Sequence, residues 1–270
     1  MIKLLMPVIA VFGAIIGSIV LTTHAAGTVV VTGNTSAGEN QPGWLFNRDI
    51  TTSTPYEFNN DAQSIGTGSL YVLPISATPS AKFIAENFIN TPIANTNSIS
   101  YDFKIGGGGD ESDKVHFYMN VYANFGVSDD LKFYDCRYNV IPTIGSTAGF
   151  TTVTFDPSQA YPVTQRTGAQ ASPFTCPPVP ADMDTLSTGS NIRAFALSVG
   201  DTSASDTGLD GYLDKVVVDL DTDLTTYDFE PEPPLVGPVN KDQCKKDGWK
   251  TFNNPVFKNQ GECVSYTNHN

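Results

Sequence analysis

The residues best suited to chemistry lie in one short stretch, VHFYMNVYANF, residues 115–125. Taken alternately, Val115, Phe117, Met119, Val121, Ala123 and Phe125 form one set, and His116, Tyr118, Asn120, Tyr122 and Asn124 form the other. Successive side chains of a strand point to opposite faces, so this alternation predicts a half-buried strand with the first set in the core. The second set puts an imidazole, two phenols and two carboxamides on one face, where donors, acceptors and flat rings could hold a polar ligand. The same residues could equally pack beneath a loop or form cross-strand pairs.

Covalent catalysis finds little support. Of three histidines, His24 and His269 lie near the ends, and His116 has no serine or cysteine motif beside it. The paired acids of a retaining glucanase strand, Glu-x-Asp-x-x-Glu, are absent, although an inverting pair drawn from distant strands stays open. Acidic side chains do gather in GDTSASDTGLDGYLD, which holds Asp201, Asp206, Asp210 and Asp214. Hard oxygen ligands suit calcium, and Asp210 and Asp214 are the expected ligands; an ordinary Asx-turn loop is the alternative. The later DLDTDLTTYDFE imitates an EF-hand loop but has Leu224 where glycine is required, and it reads as a hairpin turn. The GGGG run at residues 106–109 has no lysine or helix after it and reads as a loop.

These residues must be positioned by strands. From Thr28 to about Phe229, short runs rich in Val, Ile, Phe, Tyr and Thr alternate with Gly, Pro, Asn, Asp and Ser clusters. TVVVT, GSLYVLP, AKFIAENFI, SISYDFKI, the opening strand, LKFYDCRYNV, FTTVTF, NIRAFALSV, GYLDKVVVDL and LTTYDF are the expected strands. No amphipathic helix interrupts them, so the fold class is all-β, a two-sheet antiparallel sandwich.

Outside this region, one lysine precedes an apolar run from Leu4 to Leu21 that ends in small residues. Residues 1–26 therefore read as a secretory signal, cut after Ala25 or Ala26, or kept as an N-terminal anchor. The sandwich is expected over residues 27–230 and a proline-rich linker over 231–239. A small unit, stapled by its own cysteine pair, follows over 240–270. In an exported chain four cysteines suggest two disulfides, and spacing favours Cys136 with Cys176 and Cys244 with Cys263. With 28 acidic against 15 basic residues and no basic cluster, the chain is not expected to bind nucleic acid, nor to span a membrane beyond its signal.

TVVVTGN, Trp44, GTGSLYV and GLDGYLDKVVV together resemble the jelly-roll β-sandwiches of exported bacterial proteins, such as carbohydrate-binding modules and galactose-binding-like domains. The resemblance spans roughly Thr28 to Phe229. It implies a jelly roll, and in calcium-bearing members the position of Asp214 is a ligand of a structural ion. It also gives the second set of residues a reading: Tyr118 and Tyr122, about 13 Å apart by strand rise, stack against sugar rings while His116, Asn120 and Asn124 bond hydroxyls. The leading expectation is an exported, non-catalytic protein whose partner is a glycan or a cell-envelope component. An adhesive surface protein comes second, and a glycosidase or polysaccharide lyase third.

Overall fold

The computed structural model describes residues 25–36, 41–47, 54–76, 82–125, 134–142, 149–165, 176, 190–200, 206–233 and 236–269. The expected signal at 1–24, Asp201, residues 131–133 of the LKFYDCRYNV run and residues 234–235 of the linker lie outside them.

Alternating β-branched and aromatic residues give thirteen strands among the described residues. In chain order they are β1 (Ala25–Val31), β2 (Gly43–Phe46), β3 (Tyr56–Asn59), β4 (Ser69–Val72), β5 (Phe83–Pro92), β6 (Thr96–Ile105) and β7 (Phe117–Asn124). β8 (Cys136–Val140), β9 (Thr151–Phe155), β10 (Val163–Gln165), β11 (Asn191–Val199), β12 (Gly211–Leu220) and β13 (Asp223–Phe229) follow. Every strand expected from the sequence is present, and β2, β3 and β10, each four residues or fewer, are additional.

The strands form two sheets. Seven make the first: β1, β13, β12, β4 and β3 run in that order, β6 pairs with the other edge of β12, and β9 pairs with β6. The second has the order β10-β8-β7-β11-β5-β2. All pairs are antiparallel except β1 with β13, which is parallel. β12 and β13 meet in the hairpin expected at Asp219 to Leu224.

The sheets pack face to face through their alternate apolar side chains. Phe103 of β6 stacks on Phe117 of β7 at 4.8 Å, which joins the two layers. Trp44 sets its edge against Phe195, Tyr227 and Phe229. The Cys136–Cys176 disulfide ties β8 to the later chain across 40 residues. By loop entropy alone it limits the unfolded chain by about 4 kcal/mol.

The C-terminal unit has its own small cluster of Cys244, Phe252, Phe257 and Cys263, with Trp249 and Tyr266 packed against it. Cys244 and Cys263 are bonded. It also carries one α-helix, α1 (Gln260–His269). Among the described residues no helix is long and apolar enough to cross a membrane.

Candidate functional site

β7 lies between β8 and β11 near the middle of its sheet. Phe117, Met119, Val121 and Ala123 belong to the core, so Tyr118, Asn120, Tyr122 and Asn124 occupy the opposite, outer face, as expected. The expected strand starts two residues late. Val115 and His116 end a 3-10 turn, Glu111–His116, wound by a capping box in which Asp110 and Asp113 exchange side-chain and backbone bonds. This turn breaks the alternation, and His116 is therefore not a strand residue.

Register places the neighbours. Tyr122 lies opposite Arg137 of β8 and Ala194 of β11, Asn120 opposite Asn139 and Ala196, and Tyr118 opposite Ser198. One strand further, Glu86 and Phe88 of β5 lie opposite Ala196 and Ala194. Against β7 a bulge between Ile192 and Ala194 inserts Arg193 as an extra residue on β11, whereas against β5 the extra residue is on β5.

This outer face is not an open platform. Asn120 is 3% exposed, Asn124 6%, Glu86 3% and Ser198 0%, although none belongs to the core cluster. Tyr118 and Tyr122 are half-buried, and the ring of Tyr134 lies 5.0 Å from that of Tyr122. Burial pushes the Tyr122 phenol up, the Glu86 carboxylate pushes it further, and Arg137 pulls the other way. Four polar atoms on this face are buried without a hydrogen-bond partner among the described residues: Asn120 Oδ1, Asn139 Oδ1, Arg137 Nε and Ser198 Oγ.

The face opens at one corner. A cavity of about 270 Å³ is lined by Val115, His116, Tyr118, Asn139 and Ile141. The His116 Nδ1 meets the carboxylate of fully buried Asp206. Its backbone carbonyl accepts from Gly200 N–H at 3.0 Å. The imidazole is thus fixed at the cavity rim through its Nδ1 edge. Asn139, Arg137, Ser198 and Glu86 were not singled out from the sequence, although CRYNV alternates as the opening stretch does.

The acidic residues are used differently. Asp214 Oδ2 accepts from Ser64 N–H at 2.8 Å and Ile65 N–H at 3.0 Å, and Oδ1 from Lys215 N–H at 2.7 Å and Phe229 N–H at 3.3 Å. Asp210 accepts from the Tyr71 hydroxyl and Gly108 N–H, both at 2.6 Å. A carboxylate has about four lone-pair sites, so Asp214 is filled by protein donors. Among the described residues no three His, Cys, Asp or Glu side chains group as metal ligands. Asp210 and Asp214 are thus engaged by protein donors and Asp206 meets His116, so calcium at the expected pair gains no support among the described residues.

A second pair of acids converges nearby. A Cβ on Gly66, whose φ of 62° is left-handed, would strike the carboxylates of both Glu230 and Asp228, so both crowd the same point of backbone. Glu230 accepts from Thr67 N–H and Oγ1–H. Asp228 is 7% exposed and its Oδ1 has no partner among the described residues. Burial first, then the charges of Glu230 and Asp214, pushes its carboxyl up to about 6.

No family model matches the chain. No curated protein matches it either. Among solved structures it is similar to a family 11 carbohydrate-binding module from Clostridium thermocellum in complex with a β-1,3-1,4-mixed-linked tetrasaccharide. That match has 13% identity and a TM-score of 0.39, over 66% of this chain and 87% of that one. The enzymatically active domain of bacteriophage CBA120 tailspike protein 4 matches at 10% identity and a TM-score of 0.36, and covers 66% of this chain but 19% of that one. A carbohydrate-binding module specific for non-crystalline cellulose matches at 10% identity and a TM-score of 0.33, over 71% and 98%.

Proposed function

We propose that this is an exported, non-catalytic protein that binds a glycan on the outer face of its six-stranded sheet, entered at the His116, Tyr118 and Asn139 corner. The observation that carries this reading is the set of four buried, unpartnered polar atoms on adjacent strands. A buried polar atom left unpaired costs about 1–3 kcal/mol, so four on one face are better explained by a partner that arrives than by packing. Sugar hydroxyls both donate and accept, which suits two amide oxygens, a serine and a guanidinium N–H together. The half-buried rings of Tyr118 and Tyr122 offer apolar faces beside them.

Two further observations support the details. The paired-acid strand motif of a retaining glucanase is absent from the sequence, in keeping with a non-catalytic reading. Two closed disulfides suit an oxidising compartment, in keeping with the apolar run at residues 4–21.

A structural cation forms part of the same proposal, at Asp228 rather than Asp210. Its support is the unpartnered Asp228 Oδ1 beside Glu230, with the remaining oxygens to come from backbone or water.

Glycan retention and melting, measured on the full chain and on Asn120→Leu, test the binding reading. Retention by the native chain that falls in a variant melting unchanged is expected. A variant that melts lower and retains glycan as before would return the face to ordinary packing.

A further inference from the structure

We infer that the glycan carries carboxylates, that is, uronic-acid residues, and that Arg137 seats one of them beside Tyr122; this rests on the glycan reading above. The sequence has four arginines among 28 acidic residues. Arg48 and Arg166 lie outside the described residues, and the other two flank Tyr122 on the outer face. Arg137 is directly opposite it on β8, and Arg193 sits in the bulge next to Ala194, its partner on β11.

Neither arginine has a carboxylate within ion-pair distance among the described residues. Arg193 Nη1 donates to the Asn90 amide oxygen at 3.1 Å, a neutral partner. Arg137 Nε is buried with no hydrogen-bond partner among the described residues. A guanidinium keeps its charge at any working pH, so Arg137 cannot relieve its position by losing a proton. Two acids stand near it among the described residues, fully buried Asp135 two residues earlier, whose Oδ2 accepts from Phe125 N–H, and Glu86 on β5; neither forms an ion pair with Arg137.

The geometry of the vacant donor selects the ligand class. Nε–H and the Nη–H beside it form one edge of the guanidinium and match the two oxygens of a carboxylate. The amides of Asn120 and Asn139, one step along the same strands, present unpartnered acceptor oxygens to the hydroxyls of the same sugar or the next. Acceptor oxygens thus lie toward the cavity corner, and the two arginines lie on either side of Tyr122. A neutral sugar would satisfy the amide oxygens without the paired oxygens that match the charged Arg137 edge.

The test uses the full chain in affinity electrophoresis against polygalacturonate and alginate, each beside its carboxyl-reduced counterpart, with neutral glucan, mannan and xylan and a sulfated dextran as controls. Native polyuronate should be held at least about tenfold more tightly than its reduced form. In Arg137→Gln the two forms should bind within about twofold of each other, and Arg137→Lys, which keeps the charge but not the paired N–H edge, should keep part of the preference. Melting of each variant, expected to match the native chain, confirms that the loss is not unfolding.

Equal retention of native and reduced polymers, or retention of neutral glycans alone, would overturn the carboxylate inference and leave the glycan reading standing. Sulfated dextran held as tightly as polyuronate would overturn it in favour of general anion attraction. A preference undiminished in Arg137→Gln would overturn the assignment to that residue. Retention of no polymer would overturn the glycan reading itself.

Discussion

Two regions of this molecule bury polar atoms and treat them in opposite ways. At Asp214, four backbone N–H groups from three separate segments converge on one carboxylate. On the outer face of β7, β8 and β11, four polar atoms are buried and meet nothing among the described residues. The first arrangement is architecture, because its bonds form as the chain folds and hold the bulge of β12, the 64–65 segment and the end of β13 together. Under the glycan proposal the second costs stability in the free protein, and a ligand supplies the missing partners.

The sharpest way to break this contrast is to delete the carboxylate. Asp214→Ala leaves the N–H groups of Ser64, Ile65, Lys215 and Phe229 without an acceptor, and should cost about 3–5 kcal/mol in urea unfolding. Glycan retention per folded molecule should be unchanged. A loss under about 1 kcal/mol would show that water replaces the carboxylate and that this region is no more architectural than the other.

Asp228 stands between the two cases and predicts a pH dependence. Its folded value of about 6 lies above the ordinary 3.8, so the folded state favours its proton. The stabilisation is fully present below the unfolded value and is lost as pH rises through about 6, by up to roughly 3 kcal/mol. Denaturant unfolding without divalent ions should therefore weaken between pH 4 and pH 7 at this site. Calcium should flatten the slope, and Asp228→Asn should remove both the slope and the calcium response. A slope that calcium leaves untouched would move Asp228 out of the proposed cation site.

Asn120→Leu sharpens the comparison from the other side. It replaces an amide whose Oδ1 has no partner among the described residues by an apolar side chain of similar size, so stability should stay within about 1 kcal/mol of the native chain or rise. Retention should fall about tenfold. A large loss of stability would mean that the amide is held by a partner in the free protein.

How far the sequence foretold these regions follows from the physics of each. The strands were legible because alternation is a local pattern, and NIRAFALSV and GYLDKVVVDL stand in the structure at the residues expected. The disulfide pairing was legible from spacing. The role of Asp214 was not, because its donors lie about 150 residues away at Ser64 and Ile65, and only the folded register brings them to it. The same limit hid Asn139 and Arg137, which matter through their position opposite Asn120 and Tyr122. Arg193 was hidden for another reason: a bulge inserts one residue and shifts the phase on which alternation depends. His116 was misplaced by the converse, a turn that happened to continue the alternation of the strand after it.

The smallest expected effect separates two residues that the sequence treats as equivalent. Tyr118 lines the cavity, whereas Tyr122 lies under the ring of Tyr134 with its phenol pushed up by burial. Tyr118→Ala should therefore remove a ring from the ligand's side and weaken retention by about 0.5–1.5 kcal/mol, with little change in melting. Tyr122→Ala should remove a ring that packs on the protein as well, and lower both melting and retention. Calorimetric melting read beside retention on each variant distinguishes them. Identical behaviour of the two variants would mean that the cavity corner is not the entrance, and that both tyrosines belong to the packed part of the face.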